Sequence, residues 1–427
     1  MTTSTTSDLG TNWAGNHTYA ARALLTPGSV EELQEVVAGA DRVRALGSRH
    51  SFSDLTDTDG VLVDLSGLPR DIEVDEGALT VRVGGGVRYG DLAVALERAG
   101  WALANLASLP HISVAGAVAT GTHGSGDRNQ SLSASVVSLD LVGPDGSLRT
   151  VRRGDDDFAG SVVALGALGV VARLELDVVP TYLLRQEVRT GLRWEAVERD
   201  LDAITGAGYS VSMFTHLDDE EVAQLWVKTH ADAPPLADAV GLVGTVAAPQ
   251  TRHMLRGVAV DAVTAQGGEP GPWLDRLPHF RMEHTPSNGE ELQSEWFVGR
   301  PDAVGAIRAW RGALAPYVGL VQVAEIRTIA ADDLWLSGAY RRDSVGFHMT
   351  WLRDEPAVRT ACRAVEAALA PYAARPHWGK VFETPREELV RVHPRLSDFA
   401  ALRERVDPEH VFGNAFLDRV LPEGAEV

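Results

Sequence analysis

Residues 44–52 read Arg44-Ala45-Leu46-Gly47-Ser48-Arg49-His50-Ser51-Phe52. The run starts in a β-rich segment, Val43–Leu46, and leaves it through Gly47, which predicts His50 on a loop at the end of a strand. Taken alone, a loop histidine is an ordinary surface residue. Two later stretches share its mixture of glycine, small hydroxyl residues and histidine. They are Ser108-Leu109-Pro110-His111-Ile112-Ser113-Val114-Ala115-Gly116 and Thr120-Gly121-Thr122-His123-Gly124-Ser125-Gly126. Gly84-Gly85-Gly86 and Leu165-Gly166-Ala167-Leu168-Gly169-Val170 add further glycine. Glycine lets backbone approach a ligand closely and turn its N–H groups toward phosphate oxygens. None of these stretches completes the dinucleotide fingerprint, because Tyr89 and Asn129 stand where a third glycine belongs. Ala374 and Val381 likewise break the phosphate-loop pattern around Gly379-Lys380. On glycine alone the stretches are either tight turns or a cradle for a phosphate-bearing cofactor.

Around these stretches the first 180 residues alternate short strands and helices. Val43–Leu46 and residues 61–65, 72–74 and 79–83 are β-rich runs separated by Gly, Asp and Pro. Residues 89–99 place Leu92, Ala95, Leu96 and Ala99 at helical spacing. Residues 137–142 and 148–151 flank Pro144-Asp145-Gly146, which predicts a hairpin. Residues 170–179 form another β-run ending at Pro180, where a first boundary is expected. The middle of the chain has longer helices and strands, with a region of low regular structure at residues 231–250. The last segment, from Arg375 to Leu421, reads as loop and helix.

The middle region contains two polar strands. Val321–Ile329 reads as a strand, so Glu325 and Arg327 share a face; residues 344–351 place His348 and Thr350 together in the same way. The pairs form either a wall able to hydrogen-bond several hydroxyls or a solvated sheet face with an ordinary Glu–Arg pair.

The bulk composition narrows the class. A chain of 427 residues predicts two domains. A formal charge of −20 argues against a nucleic-acid partner and against anionic lipid surfaces. Residues 1–13 show no signal-peptide pattern. Residues 158–172 are uncharged but fall short of the roughly 20 that a membrane span needs. Residues 100–126 are also uncharged, but Asn105, Pro110, His111 and His123 interrupt them. The lone Cys362 allows neither an internal disulfide nor a cysteine metal cluster. These features predict a cytoplasmic protein with no membrane partner, and no metal site is expected.

In their order and spacing, the His50, Ser113 and His123 stretches resemble the FAD-binding half of the vanillyl-alcohol oxidase superfamily, and residues 166–170 resemble that fold's adenine-side loop. The resemblance implies an α+β, two-domain fold. Its parts would be a bipartite FAD-binding domain at residues 1–180, a substrate (cap) domain at 181–374, and a segment at 375–427 that returns to the first domain. It implies FAD bonded covalently through His50, and through that residue alone, because residues 107–116 contain no cysteine. It also implies FAD contacts from Gly47, Ser48, Arg49, Ser51, Ser108, Ser113, Val114, Ala115, Gly116, Thr120, Gly121, Thr122, His123, Gly169 and Val170. Arg49 is a departure, since many members carry a small residue there.

Glu325-Ile326-Arg327-Thr328, Phe347-His348-Met349-Thr350-Trp351 and His377-Trp378-Gly379-Lys380-Val381-Phe382, with Asn12-Trp13-Ala14-Gly15-Asn16, resemble motifs of bacterial alditol oxidases. That narrower resemblance covers essentially the whole chain. It implies oxidation of the terminal alcohol of a polyol such as xylitol or sorbitol, with O₂ reduced to H₂O₂. Alcohol oxidation needs a proton acceptor as hydride leaves carbon, and a neutral histidine serves near pH 7. His348 is the first candidate, with Arg327 and Lys380 stabilising developing negative charge. Ser108, Glu325, Arg327 and Thr350 are expected to bind the polyol. Lys380 is otherwise a surface lysine, and His377 either contacts flavin or is structural. The alternatives are a sugar-1,4-lactone oxidase or dehydrogenase of the same superfamily, and a catalytically dead flavin- or sugar-binding protein.

Overall fold

Strand-forming runs in the first third of the chain resolve into two sheets. The computed structural model describes residues 2–4, 9–236, 239–284 and 291–422. The first sheet holds β1 (Thr2–Ser4), β2 (Ala23–Thr26), β3 (Val43–Leu46) and β4 (Val61–Asp64) in the order β1-β2-β4-β3, with β2, β4 and β3 parallel. The second holds β5 (Ile72–Asp75), β6 (Thr80–Gly84), β7 (Val136–Val142), β8 (Leu148–Arg152) and β9 (Val170–Asp177) in the antiparallel order β5-β6-β9-β7-β8. Leu79 falls outside the strand expected at residues 79–83, because its φ of +57° places it in the preceding turn. The expected hairpin forms at Pro144-Asp145-Gly146, and Gly146 supplies the positive φ (+78°).

Helix α1 (Val30–Ala38) covers the first sheet and α2 (Tyr89–Arg98) the second, burying Leu33 and Val37 and Leu92 and Leu96. The short helix α3 (Val114–Ala119) leads out of the Ser108–Ser113 loop. Arg44 joins these parts through a fully buried guanidinium. It donates to the carbonyls of Leu55 (2.6 Å), Leu165 (2.6 Å), Gly166 (2.8 Å) and Phe412 (3.0 Å), pinning three distant loops together.

A larger antiparallel sheet, nine-stranded among the described residues, follows in the middle of the chain. Its principal strands are β10 (Leu183–Thr190), β11 (Ser210–Thr215), β12 (Gln224–His230), β13 (Glu291–Gly299), β14 (Val321–Ile329) and β15 (Ser344–Leu352), in the order β10-β12-β11-β14-β15-β13. Their two faces differ sharply. Val211, Met213, Leu292, Trp296, Ala324, Ile326, Val345, Phe347, Met349 and Trp351 pack against α4 (Trp194–Thr205), α5 (Ala303–Leu314) and α6 (Glu355–Leu369). The alternate residues face the other way, away from the helices. The region of low regular structure holds a 3₁₀ turn at Val240–Leu242 and an edge strand at Val246–Ala247; residues 237–238 lie outside the described chain.

After residues 375–376, which add to the sheet beside β13, the chain forms α7 (Arg386–Val392), α8 (Leu396–Val406) and α9 (Ala415–Val420). Leu389, Phe399, Leu402, Phe416 and Leu417 share one core with Val81, Leu139 and Leu174 of the N-terminal sheet. Asn414 caps α9 by accepting from Leu417 N (3.0 Å) and donates to the carbonyls of Leu55 (2.9 Å) and Asp57 (2.8 Å). Among the described residues no helix is long and apolar enough to cross a membrane.

His393, at the end of α7, tests this docking. Its ring lies 4.7 Å from that of Trp378, and neither ring nitrogen has a hydrogen-bond partner. Burial, reinforced by Arg375 and Arg342, holds its pKa well below 6.5. The unfolded chain therefore takes up a proton below pH 6.5 that the fold refuses, so stability is intact above 6.5 and is lost as pH falls. His393→Phe removes that penalty. Its advantage in thermal unfolding should grow by on the order of 1 kcal/mol between pH 7.5 and pH 5.5. An equal difference at both pH values would mean that His393 is protonated in the fold.

Candidate active site

The face of the large sheet turned away from the helices closes one side of a cavity, and the glycine-rich loops of the first domain close the other. Its empty space is about 1910 Å³, open solvent at the mouth included. Each expected site residue lines it except Val114, Gly121 and Val170. Val114 and Val170 point into apolar cores, and Gly121 makes a turn with φ +68°.

At the first-domain end, His50 follows β3 on its loop. Its ring stacks on Trp13, with centroids 4.9 Å apart and planes 21° from parallel. Both ring nitrogens are buried without a partner. Burial lowers its pKa to about 4, so the imidazole is neutral at pH 7. Arg49 adopts φ +61°, a conformation easiest for glycine, and sends its guanidinium out to the carbonyls of Leu9 (2.5 Å) and Thr11 (3.4 Å). Ser48 Oγ accepts from Ser113 N (3.1 Å), joining the first two motif loops.

This end suits FAD. Backbone at Gly47, Gly116 and Gly169 reaches the cavity wall. Arg44 also lines it: its Nε is buried without a partner, and the charge acting on it is that of another cation, Arg403. A buried cation whose bonds all go to neutral carbonyls is suited to a nearby anion such as a diphosphate.

The sheet end is built by cross-strand register. Glu295 of β13, His348 of β15 and Glu325 of β14 lie directly opposite one another, as do Gln293 and Thr350. Alternation along β14 then brings Arg327 to the same face. These groups are buried, with Glu325 4% and His348 8% exposed, so the face is no solvated surface. Lys380 enters from the loop after residues 375–376, and its side chain is 13% exposed, not a free surface lysine.

Glu295 lies at the centre. Its carboxylate accepts from Arg327 Nη2 (3.0 Å) and meets Lys380 Nζ at 2.9 Å. His123 Nε2 approaches to 3.2 Å, poorly aligned for a hydrogen bond, while its Nδ1 donates to Gly124 O (2.8 Å). Burial alone would raise the pKa of Glu295, but Arg327, Lys380 and His123 together hold it well below the usual carboxylate range. Arg327 Nη1 also reaches Ser108 Oγ (3.3 Å) and lies 3.6 Å from Glu325 Oε2. Glu325 Oε1 is buried without a partner. His123, Glu295 and His377 bring possible ligand atoms within 4.8 Å of one another, yet the two cations on the carboxylate oppose a metal ion there.

His348 has an assignable tautomer. Gln293 donates its amide to Glu291 Oε1 (2.7 Å), which turns its carbonyl oxygen toward His348 Nε2 (3.1 Å). Nε2 therefore carries the proton, leaving the lone pair on Nδ1. Burial, then Lys380 and Arg327, keep this ring neutral well below pH 6.5. His377 accepts from Gly379 N at Nδ1 (3.1 Å) and is likewise kept neutral by burial.

Glu295, Gln293, Lys228 and His279 were not singled out from sequence. Glu291, Gln293 and Glu295 alternate with Leu292, Ser294 and Trp296, a period-2 signal that marks a polar face on a half-apolar strand. Lys228, buried on β12, donates to Leu277 O, and burial lowers its pKa to about 7. His279 lies edge-on to Phe214 (5.3 Å) and Trp226 (5.2 Å). No local pattern marks either residue.

Comparison with known proteins adds identity to this geometry. Residues 21–152 match the profile of an FAD-binding domain, and residues 293–420 that of D-arabinono-1,4-lactone oxidase. The chain is 45% identical to an alditol oxidase from Streptomyces sp. over 96% of its own length and 98% of the relative's. It is 31% identical to L-gulono-1,4-lactone dehydrogenase from Mycobacterium tuberculosis over 97% and 99% of the two chains. The crystal structure of cholesterol oxidase from B. sterolicum superposes with a TM-score of 0.75, covering 97% of this chain and 96% of that one. At 15% identity it establishes the fold alone.

Proposed function

This chain belongs to the alditol oxidase family of FAD-dependent oxidoreductases with the vanillyl-alcohol oxidase fold, and on that premise we propose that it oxidises the terminal alcohol of an alditol such as xylitol or sorbitol to the aldose. In this reading FAD is bonded through His50, and O₂ takes the electrons to give H₂O₂. The observation that carries it is the wall of Glu325, Arg327, His348 and Thr350, which faces the same cavity as His50 and the glycine-rich loops.

FAD, when bound, supplies the hydride acceptor. The chain supplies the rest. Glu325 Oε1, buried and unpartnered, is an acceptor waiting for a hydroxyl donor. Ser108 and Thr350 offer hydroxyls that both donate and accept. His348 Nδ1 takes the hydroxyl proton as hydride leaves the carbon, and burial keeps that nitrogen unprotonated at neutral pH. Arg327 and Lys380 stabilise the charge that develops on the alcohol oxygen. Ser51 and Phe52, next to His50, tie the flavin-side wall to the Lys380 loop: Ser51 Oγ donates to Gly379 O (3.2 Å) and Phe52 N donates to the same oxygen (2.8 Å).

The lactone reading has its own support in the profile matched by residues 293–420. Anaerobic mixing separates the two. Xylitol or sorbitol should bleach the flavin much faster than L-gulono-1,4-lactone at equal concentration, and air should then release peroxide. Faster bleaching by the lactone would transfer the assignment to lactone oxidation, and no bleaching by either would leave a binding protein.

The covalent bond is tested separately. His50→Ala removes one loop imidazole and little core, so the variant should fold. Acid precipitation should leave the flavin with the wild-type pellet and release it from the variant. Yellow colour retained in the variant pellet would place the bond elsewhere.

A further inference from the structure

Glu295 belongs to none of the roles above, yet it touches both of the cations assigned one, Arg327 and Lys380. We propose that Glu295 is a positioning residue: its buried carboxylate aims Arg327 and Lys380 and sets the net charge that the flavin and the reacting alcohol experience. The inference rests on the oxidase reading for the alcohol and on FAD binding alone for the flavin.

The geometry is specific. Oε1 accepts from Arg327 Nε (3.3 Å) and Nη2 (3.0 Å); Oε2 accepts from the same Nη2 (3.3 Å) and meets Lys380 Nζ at 2.9 Å. The side chain itself is wholly buried. A guanidinium on a long side chain has many rotamers, and a bidentate carboxylate selects one. Here that selection points Nη1 at Ser108 and Glu325. Lys380 has no such fork, so its direction depends on the single contact with Glu295 still more.

Charge makes the same point. Two carboxylates, Glu295 and Glu325, formally offset Arg327 and Lys380; a third cation, Lys228, interacts with Glu325 and Arg327 and is pushed by burial to a pKa of about 7. Removing the Glu295 charge leaves one more positive charge uncompensated among buried side chains, where charges act strongly. The groups facing Lys380 are Glu295 from β13, Arg327 and Glu325 from β14, His348 from β15 and His377 from its own loop, while His123 from the first domain meets Glu295. Burial and Arg327 push the ammonium's pKa down, and Glu295 is the chief influence that holds it up.

Glu295→Gln keeps the shape and drops the charge. In the holoenzyme, two readouts should move together. The alkaline limb of kcat with xylitol should shift down by about one pH unit or more as Lys380 loses its counter-charge. The midpoint potential of the bound flavin, measured by photoreduction without any polyol, should become more positive. Glu295→Gln combined with Lys380→Met restores the wild-type net charge and should bring the potential back toward the wild-type value. Should Glu295→Gln fail to accumulate as holoenzyme, Glu295→Asp retains the charge but shortens the reach. It should then keep the wild-type potential while losing at least 10-fold in flavin reduction rate. A folded Glu295→Gln enzyme with wild-type potential and pH profile would overturn the proposal. So would a Glu295→Asp enzyme with wild-type reduction rate. Failure of every polyol to reduce the wild-type enzyme would sink the oxidase reading instead, and the potential measurement would still report on Glu295.

Discussion

The carboxylate of Glu295, buried between the guanidinium of Arg327 and the ammonium of Lys380, is the contact on which the rest of the site depends. A lone ion taken from water into a protein interior costs several kcal/mol even after relaxation. A sheet face carrying Glu295, Glu325, Arg327 and His348 can therefore be buried only when its charges are matched and its histidines stay neutral. Both conditions hold: the carboxylates sit against the cations, and burial keeps His348 and His377 unprotonated. The neutrality that permits the fold also prepares the chemistry. A neutral imidazole can accept a proton, and fixed cations can meet charge as it appears, without reorganisation.

The second constraint is the register of three adjacent strands. The direct opposition of Glu295, His348 and Glu325 across β13, β15 and β14 stacks the polar residues into one row. A slip of one residue in any strand would send that strand's polar set into the helix-packed core of Trp296, Phe347 and Ile326. The apolar residues on the far face thus fix the register that the polar row needs. The C-terminal helices complete the arrangement. They pack into the N-terminal core, so the Lys380 loop is anchored on both sides of the cavity.

Much of this was legible in the sequence, for identifiable reasons. The strands at Val321–Ile329 and Ser344–Leu352 and the loop position of His50 follow from period-2 patterning and glycine punctuation. The burial of the polar wall did not follow, because a Glu–Arg pair on an alternating strand reads equally well as a solvated face. What decides is a partner far away in sequence: Glu295, Lys380 and the loops bearing Ser108 and His123. Glu295 was missed although β13 alternates plainly, since its role depends on cross-strand neighbours rather than on its own strand. The resemblance implies cofactor contacts at Val114 and Val170, whose side chains point into apolar cores. Lys228 and Arg44 are buried cations whose partners are backbone carbonyls, and no local pattern announces such partners.

In the proposed oxidation, a buried, neutral His348 faces the reacting alcohol among the paired charges of Glu295, Arg327 and Lys380. The pH dependence of flavin reduction by xylitol under anaerobic conditions tests it most directly. Burial, with Lys380 and Arg327 nearby, holds the imidazole neutral well below its ordinary pKa of 6.5. The reduction rate should therefore stay level from pH 8 down through 6.5 and fall only in more acid solution, with that acid limb abolished in His348→Ala. An acid limb at or above pH 6.5, or one that survives removal of His348, would contradict the account.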